Sequence, residues 1–408
     1  MFNILRRRDF ARLWLGGLIS VLGDYVLLIA LPFDVNQRTG SALATSLTFL
    51  TGMLPSVLFG SLAGALADRW NRRHLLVSAN LAEATVVLAL LVYASDPSAT
   101  GLWLVYAVQF LVSALGQLSE PAEGGLLPQL VEPGRLASAN ALGTLSGNIG
   151  RLIGPVLGGV LVSRFGLGSV VVADAPSFLT AAALIAQISV PLEPVTGGEQ
   201  RAAAGWSAFW RAWREGFSLI RGDSFILGLL AVGALQTLGT TVRVPLVIPW
   251  AREVLQGGAV LFGAITSAQG IGGLIGGMLM TQWGEAVRPA ILLAPSELVE
   301  GGLILAIVST RSIPLTLGLV GIVGVAFAAF RTSEPTLMQH AVPDRYRGRA
   351  FGAFATTTAL IGIAGYLACG ALADTVGIVP TLSISSGLDI AAGLVALALV
   401  HHARLGDP

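Results

Sequence analysis

The chain alternates long apolar runs with short polar breaks. Runs long enough to span a bilayer occur near 12–33, 43–66, 74–94, 102–121, 138–162, 169–190, 224–248, 259–281, 288–308, 313–331, 350–373 and 377–400. About 20 apolar residues cross the roughly 30 Å hydrocarbon layer as a helix. A backbone amide in lipid must be satisfied internally, so runs of this length without alternating polarity predict helices and not barrel strands. The pattern predicts an all-α membrane protein of twelve transmembrane helices. A polar stretch at 191–223 divides six spans from six. It opens with Pro191, Pro194, Gly197 and Gly198 and continues with Trp206, Trp210 and Trp213 among arginines. That composition fits an amphipathic helix at the inner membrane face with its rings at headgroup depth, or a plain linker with a greasy side.

The two halves repeat. An offset of about 213 residues sets Pro32 over Pro245, Gly60 over Gly273, Gly64 over Gly277 and Trp70 over Trp283. The expected organisation is therefore a six-helix bundle at 1–190, a linker at 191–223 and a pseudo-symmetric six-helix bundle at 224–408.

Composition excludes a water-soluble domain: 54% of residues are hydrophobic and 12% charged, against about 25% charged in soluble domains. Net charge is +1, which offers no field for nucleic acid. Every basic residue is arginine, so Schiff-base lysine chemistry and the phosphate-loop lysine are absent. One cysteine, Cys369, and the scattered His74, His340, His401 and His402 provide neither a disulfide nor a metal cage. No metal, cofactor or enzymatic activity is expected. With the N-terminus inside, cytoplasmic segments carry eighteen arginines and outer loops four (Arg38, Arg164, Arg252, Arg311). The positive-inside rule then places both termini in the cytoplasm of a multi-pass cell-membrane protein. Arg6, Arg7 and Arg8 precede the first apolar run, yet that run is too long for a signal-peptide core and holds Asp24 and Pro32.

Between the second and third spans stands Gly64-Ala-Leu-Ala-Asp68-Arg69-Trp-Asn-Arg72-Arg73. This resembles the loop signature of the major facilitator superfamily, with Asn71 where a glycine is usual. Its duplicate at Gly277–Trp283 has Thr281 in place of Asp68, which makes any gate built on the motif asymmetric. The fifth span contains Gly150-Arg151-Leu-Ile-Gly154-Pro155-Val-Leu-Gly158-Gly159. Spacing by four aligns Gly150, Gly154 and Gly158 on one face suited to close packing, and Pro155 bends the helix. This is similar to the motif of proton-coupled exporters in that superfamily. Glu120-Pro121 with Arg135-Leu-Ala, and Glu334-Pro335-Thr336 with Arg347-Gly-Arg349, look like paired inner loops of the branch that includes siderophore exporters and macrolide efflux pumps.

The resemblance implies a substrate site near the midplane, lined by the first, fourth, seventh and tenth spans. On that reading the partners are a small-molecule substrate, protons and the lipid bilayer, and the chain works as a monomer. An ionisable residue at membrane depth is costly and so a functional candidate. Asp24 is the expected proton carrier, with Arg151 as its partner or switch. The expected cargo contacts are Asp24, Tyr25, Tyr106, Gln109, Gln117, Gln236, Arg243 and Phe330. The expected gate joins Gly64, Asp68, Arg69, Arg72 and Arg73 to Arg347 and Arg349. Glu83, Asp174, Glu297, Glu300 and Asp389 fall on spans expected to face lipid and are assigned to bonding between helices. Glu120, Glu123 and Glu334 are assigned to the inner-loop arginines. The reading that results is a proton antiporter exporting amphipathic molecules; a symporter or uniporter of the same fold, and a membrane receptor or scaffold, are the alternatives. Asp68→Asn is expected to leave expression and folding intact and to cut export several-fold; export at the wild-type rate by this variant would remove the loop from the gate.

Overall fold

The computed structural model describes residues 2–95, 101–189, 206–283 and 288–405, with backbone alone at 2–3, 60–69, 133, 206–209, 212, 283 and 402–405. The described residues are helical and contain no strand. The helices are α1 (Arg8–Thr39), α2 (Ala42–Arg69), α3 (Arg72–Leu88), α4 (Leu90–Ser95), α5 (Leu102–Leu130), α6 (Leu136–Ala186), α7 (Trp206–Gly222), α8 (Ser224–Glu253), α9 (Ala259–Trp283), α10 (Pro289–Ser309), α11 (Ile313–Ala341), α12 (Arg347–Val376) and α13 (Ile378–Leu405).

Eleven segments among the described residues are long and apolar enough to cross a membrane, with α3 and α4 forming one of them. The 51-residue α6 holds two spans. At about 1.5 Å per residue it would reach more than twice the hydrocarbon thickness if straight. It breaks instead at Gly166, whose φ of 73° and ψ of 175° suit a residue without a Cβ. The fifth and sixth predicted spans are thus the two arms of α6, and the expected twelve are present.

Two helices run further than the apolar pattern indicates. α5 continues to Leu130 through Pro121 and Pro128, and α11 continues to Ala341 through Pro335. The Glu-Pro segments expected in inner loops therefore lie inside helices. A proline costs one backbone bond, a defect that neighbouring helices can accommodate in a bundle.

Contacts divide the chain into two compact units. The first comprises Met1–Gly40, Leu47–Ala203 and Gly257–Ala264; the second comprises Ser41–Ser46, Ala204–Gln256 and Ile265–Pro408. In the first unit α1 lies between the two arms of α6, while α3 packs on α5 and α6. In the second unit α8 packs on α12 and α13, and α10 packs on α11 and α13.

Small residues make the close crossings. A Cβ on Gly158 would strike the Val26 backbone, one on Gly154 would strike Tyr25, and one on Gly150 would come 2.7 Å from Val21 and Tyr25 side chains. The glycine face of the first α6 arm is thus filled by α1. On the other side of α1, a Cβ on Gly16 would touch the Ala181 backbone in the second arm at 3.4 Å.

The amphipathic segment is α7. Ile220 is fully buried, and Trp213 and Phe217 pack against the core of the second unit. Gly216 abuts the Arg349 backbone, and Arg349 pairs with Glu215 at 3.1 Å. The rings of Trp213 and Phe217 therefore fasten α7 to the second bundle, as the greasy side of a linker would. Trp206 lies outside the residues described with side chains. Asp223 caps the start of α8 by accepting bonds from the Phe225 and Ile226 amides at 2.8 and 3.1 Å.

Gly158→Val is expected to destabilise the protein by about 1–3 kcal/mol through overpacking against α1, visible as a lower Tm in detergent. Gly147→Ala on the same arm, where a Cβ meets nothing within 4 Å, should leave Tm unchanged.

Candidate functional site

A cavity of about 340 Å³ opens within the first unit, lined by Asp24 and Tyr25 from α1, Gly52 from α2, Glu83 from α3, and Gln109, Ser113 and Gln117 from α5. Four residues expected to contact cargo, Asp24, Tyr25, Gln109 and Gln117, meet there. Asp24 stands near the middle of α1, yet its side chain is exposed, because it faces this cavity. A Cβ at Gly52 would come 2.8 Å from Gln109 Nε2, so the missing side chain gives that amide its room.

Two further carboxyls belong to the site. Glu83 is 5% exposed and Asp174 is 1% exposed. Asp24 feels the charge of Asp174, and Glu83 feels both. Asp174 stands against Gly23, where a Cβ would collide with its carboxylate and come 2.5 Å from Ser177 Oγ. Ser177 donates to Asp174 Oδ1 at 3.3 Å, while Oδ2 is buried with no hydrogen-bond partner. Among the described residues no arginine pairs with any of the three acids.

Glu83 and Asp174 thus face the interior and not lipid as expected. The reason is visible in helix periodicity: Leu76, Asn80, Glu83, Ala84 and Val87 form one buried stripe of α3, the stripe that packs on α5 and α6. Asp174, Phe178, Ala181 and Ile185 do the same on the second arm of α6. The sequence held a usable signal, since Glu83 recurs near Glu297 and Asp174 near Asp389 when the halves are overlaid.

The second unit balances its buried acids differently. Arg243 on α8 donates to Glu300 on α10 at 2.5 Å and also pairs with Asp389 on α13. Its Nη2 reaches Thr240 Oγ1 at 3.4 Å. Both acids are fully buried. Glu297, one turn before Glu300, is also fully buried, and neither of its carboxyl oxygens has a partner. The assignment of Arg243 to cargo is corrected: its guanidinium is occupied by two carboxylates that fasten α8 to α10 and α13. Asp389 stands against Gly239 as Asp174 stands against Gly23.

A cavity of about 230 Å³ in the second unit brings together Gln236 from α8 with Phe330 and Glu334 from α11 and Phe354 from α12. Tyr106 lines neither of these two cavities. Arg151 is exposed and makes no ion pair with Asp24 among the described residues, so the expected pairing is not present. Inner-loop arginines hold backbone carbonyls, and Arg331 attracts Glu334 electrostatically. Arg72 donates to Gly125 O and Arg73 to Ala186 O, which fixes the start of α3 to α5 and to the last turn of α6. Arg347 donates to Gln339 O at 2.9 Å and pairs with Asp344 at 2.9 Å. The side chains of Gly64, Asp68 and Arg69 lie outside the described residues.

Residues 13–366 match the model of the Major Facilitator Superfamily. The chain belongs to that superfamily. Its members are membrane transporters and not enzymes, and this chain is a multi-pass member of the superfamily. It is 24% identical to macrolide efflux protein A of Streptococcus pyogenes, over 95% of this chain and 94% of that protein. It is 27% identical to the enterobactin exporter EntS of Citrobacter koseri, over 98% and 94% respectively. A bacterial homologue of the iron transporter ferroportin superimposes with a TM-score of 0.75 over 96% of this chain and 98% of the other, at 16% identity, and so shares the fold.

Arg243→Met should destabilise the protein by about 3–5 kcal/mol, because it leaves buried carboxylates uncompensated. Adding Asp389→Asn and Glu300→Gln should recover part of that loss in detergent unfolding. A Tm for Arg243→Met equal to wild type would show that the arginine is not a lock.

Proposed function

We propose that this superfamily member exports small amphipathic molecules by proton antiport with alternating access. It sits in the cell membrane with both termini cytoplasmic, as its arginine distribution favours, and acts as a monomer. Export is supported by the relatives named as a macrolide efflux protein and an enterobactin exporter, and by the Gly150–Gly159 face.

The observation that carries proton coupling is the acid-lined cavity. Asp24 opens to it, Glu83 lines it, and Asp174 stands behind with an unpartnered oxygen. Three like charges held together in a bilayer with no cation among them repel strongly. Binding a proton, or a cationic part of the cargo, relieves that repulsion. The two occupants therefore compete for one electrostatic vacancy, which is what antiport requires: cargo leaves as a proton enters, and the reverse resets the site. Gln109, Gln117 and Tyr25 supply neutral polar contacts that orient cargo beside Asp24.

The test is proton movement in proteoliposomes under an imposed pH gradient, with amphipathic drugs and siderophore-like compounds added, in wild type and Asp24→Asn. Compound-triggered flux that falls at least tenfold in Asp24→Asn is the expected result. Flux unchanged by the substitution moves the carrier away from Asp24; absence of flux with a compound that is nevertheless exported removes the proton from the mechanism.

A further inference from the structure

The cavity in the second unit has the composition of a cation receptor. Its walls come chiefly from two helices. On α11, Phe330 and Glu334 are four residues apart and share a face; on α12, Phe351 and Phe354 are three apart and share another. Gln236 of α8 completes the lining with an amide whose nitrogen donates to Thr240 Oγ1 at 3.0 Å. Glu334 is 8% exposed, and its Oε1 is buried without a hydrogen-bond partner. It lies beside Phe354 over Gly233: a Cβ there would meet Glu334 Oε1 and come 2.8 Å from the end of the Phe354 ring. Glu334 thus borders the cavity with a buried carboxyl group that has one oxygen packed on Gly233 without a donor and a phenyl ring alongside, an arrangement that favours a positively charged neighbour.

Arg331 is the protein's own cation nearest in sequence. It lines the same cavity and attracts Glu334 electrostatically, but its side chain is exposed and forms no ion pair with Glu334 within the 4 Å limit. The related Ser-Glu-Pro segment of the first unit contrasts with this one. There Glu120 and Glu123 line a larger cavity of about 530 Å³ and are exposed to it.

We propose that the Glu334 cavity binds a substituted ammonium head group. The carboxylate supplies the counter-charge and the phenylalanine faces supply cation–π attraction, which acts within about 6 Å of a ring centroid. At about 230 Å³ the cavity is smaller than the roughly 300 Å³ at which drug-sized pockets begin. It therefore holds the head group while the apolar remainder of the molecule extends beyond it. The assignment of this group to exported cargo rests on the exporter reading; the binding site itself does not.

The experiment is calorimetric titration of the purified full chain in detergent, without any gradient, with benzyltrimethylammonium and with its anionic counterpart benzenesulfonate. Saturable binding of the ammonium and none of the sulfonate is expected. Glu334→Gln should weaken ammonium binding by at least roughly tenfold, and Phe354→Leu by about threefold. Glu132→Gln, which removes an exposed acid of the first unit, should change nothing. Unaltered binding in Glu334→Gln, equal binding of the sulfonate, or no ammonium binding by wild type would each overturn the site. If Glu334→Gln does not fold, wild-type affinity in Phe354→Leu overturns it. Ammonium binding that persists while proteoliposomes show neither export nor proton flux would reject the exporter reading and keep the site.

Discussion

A charge inside hydrocarbon must be matched by an opposite charge, a proton or water, because a bare one costs about 2.5–3.5 kcal/mol even on the mildest scale. Most of what distinguishes the two units follows from how each meets this demand. The second unit buries Glu300 and Asp389 fully and holds them with Arg243. The first unit places Asp24, Glu83 and Asp174 together and supplies no arginine among the described residues. Arg243 thus offsets Glu300 and Asp389, though it leaves Glu297 without a hydrogen-bond partner, while no arginine among the described residues pairs with the three acids of the first unit.

The contrast is sharper because the scaffolds correspond. In each unit a first helix carries a glycine against which an aspartate of the sixth span is pressed, Gly23 with Asp174 and Gly239 with Asp389. Each third span contributes a buried glutamate on its inner stripe, Glu83 and Glu297. At the repeat offset, Ala30 stands where Arg243 stands in the second half. Asp24 falls opposite Thr237 and Val87 opposite Glu300 at the same offset, so three charge differences separate the cross-link between α8, α10 and α13 from the acid-lined cavity of the first unit. The same frame, present twice, holds a closed ion-pair cross-link in the second unit and an acid-lined cavity in the first.

Much of this was legible in the chain. Apolar run length located the spans, because hydrocarbon thickness fixes how many residues a helix needs, and Gly166 marks the turn that the gap between the fifth and sixth runs implied. Four-residue glycine spacing identified the packing face, though not that α1 fills it. Position along α1 identified Asp24. What was not legible is rotation about a helix axis. Span number places Glu83, Asp174, Glu297, Glu300 and Asp389 on lipid-facing helices, whereas the direction of each is set by the stripe of buried neighbours it shares; the bonding between helices expected of them is present for Glu300 and Asp389, which join α10 and α13 to α8 through Arg243. The partners of Arg243 are hidden for a related reason: membrane depth can be counted along a sequence, but carboxylates on other helices, here Glu300 and Asp389, cannot. Pro121 and Pro335 read as loop residues in the sequence, but α5 and α11 continue through them as helix.

The glycine face also bears on the acid site. Gly150, Gly154 and Gly158 bring the first α6 arm against Val21, Tyr25 and Val26, while Gly23 lies against Asp174 on the second arm. The short stretch of α1 that carries Asp24 is therefore gripped from both sides by contacts with no side chain on the glycine to yield. Such contacts are steep, since a misfit of even one methyl group must be absorbed by moving a helix. A displacement of this stretch of α1 therefore has to displace α6 as well, whose two arms meet at the non-helical Gly166. The motif that resembles an exporter signature is, on this geometry, the element that locks the part of α1 around Asp24 to the first arm of α6.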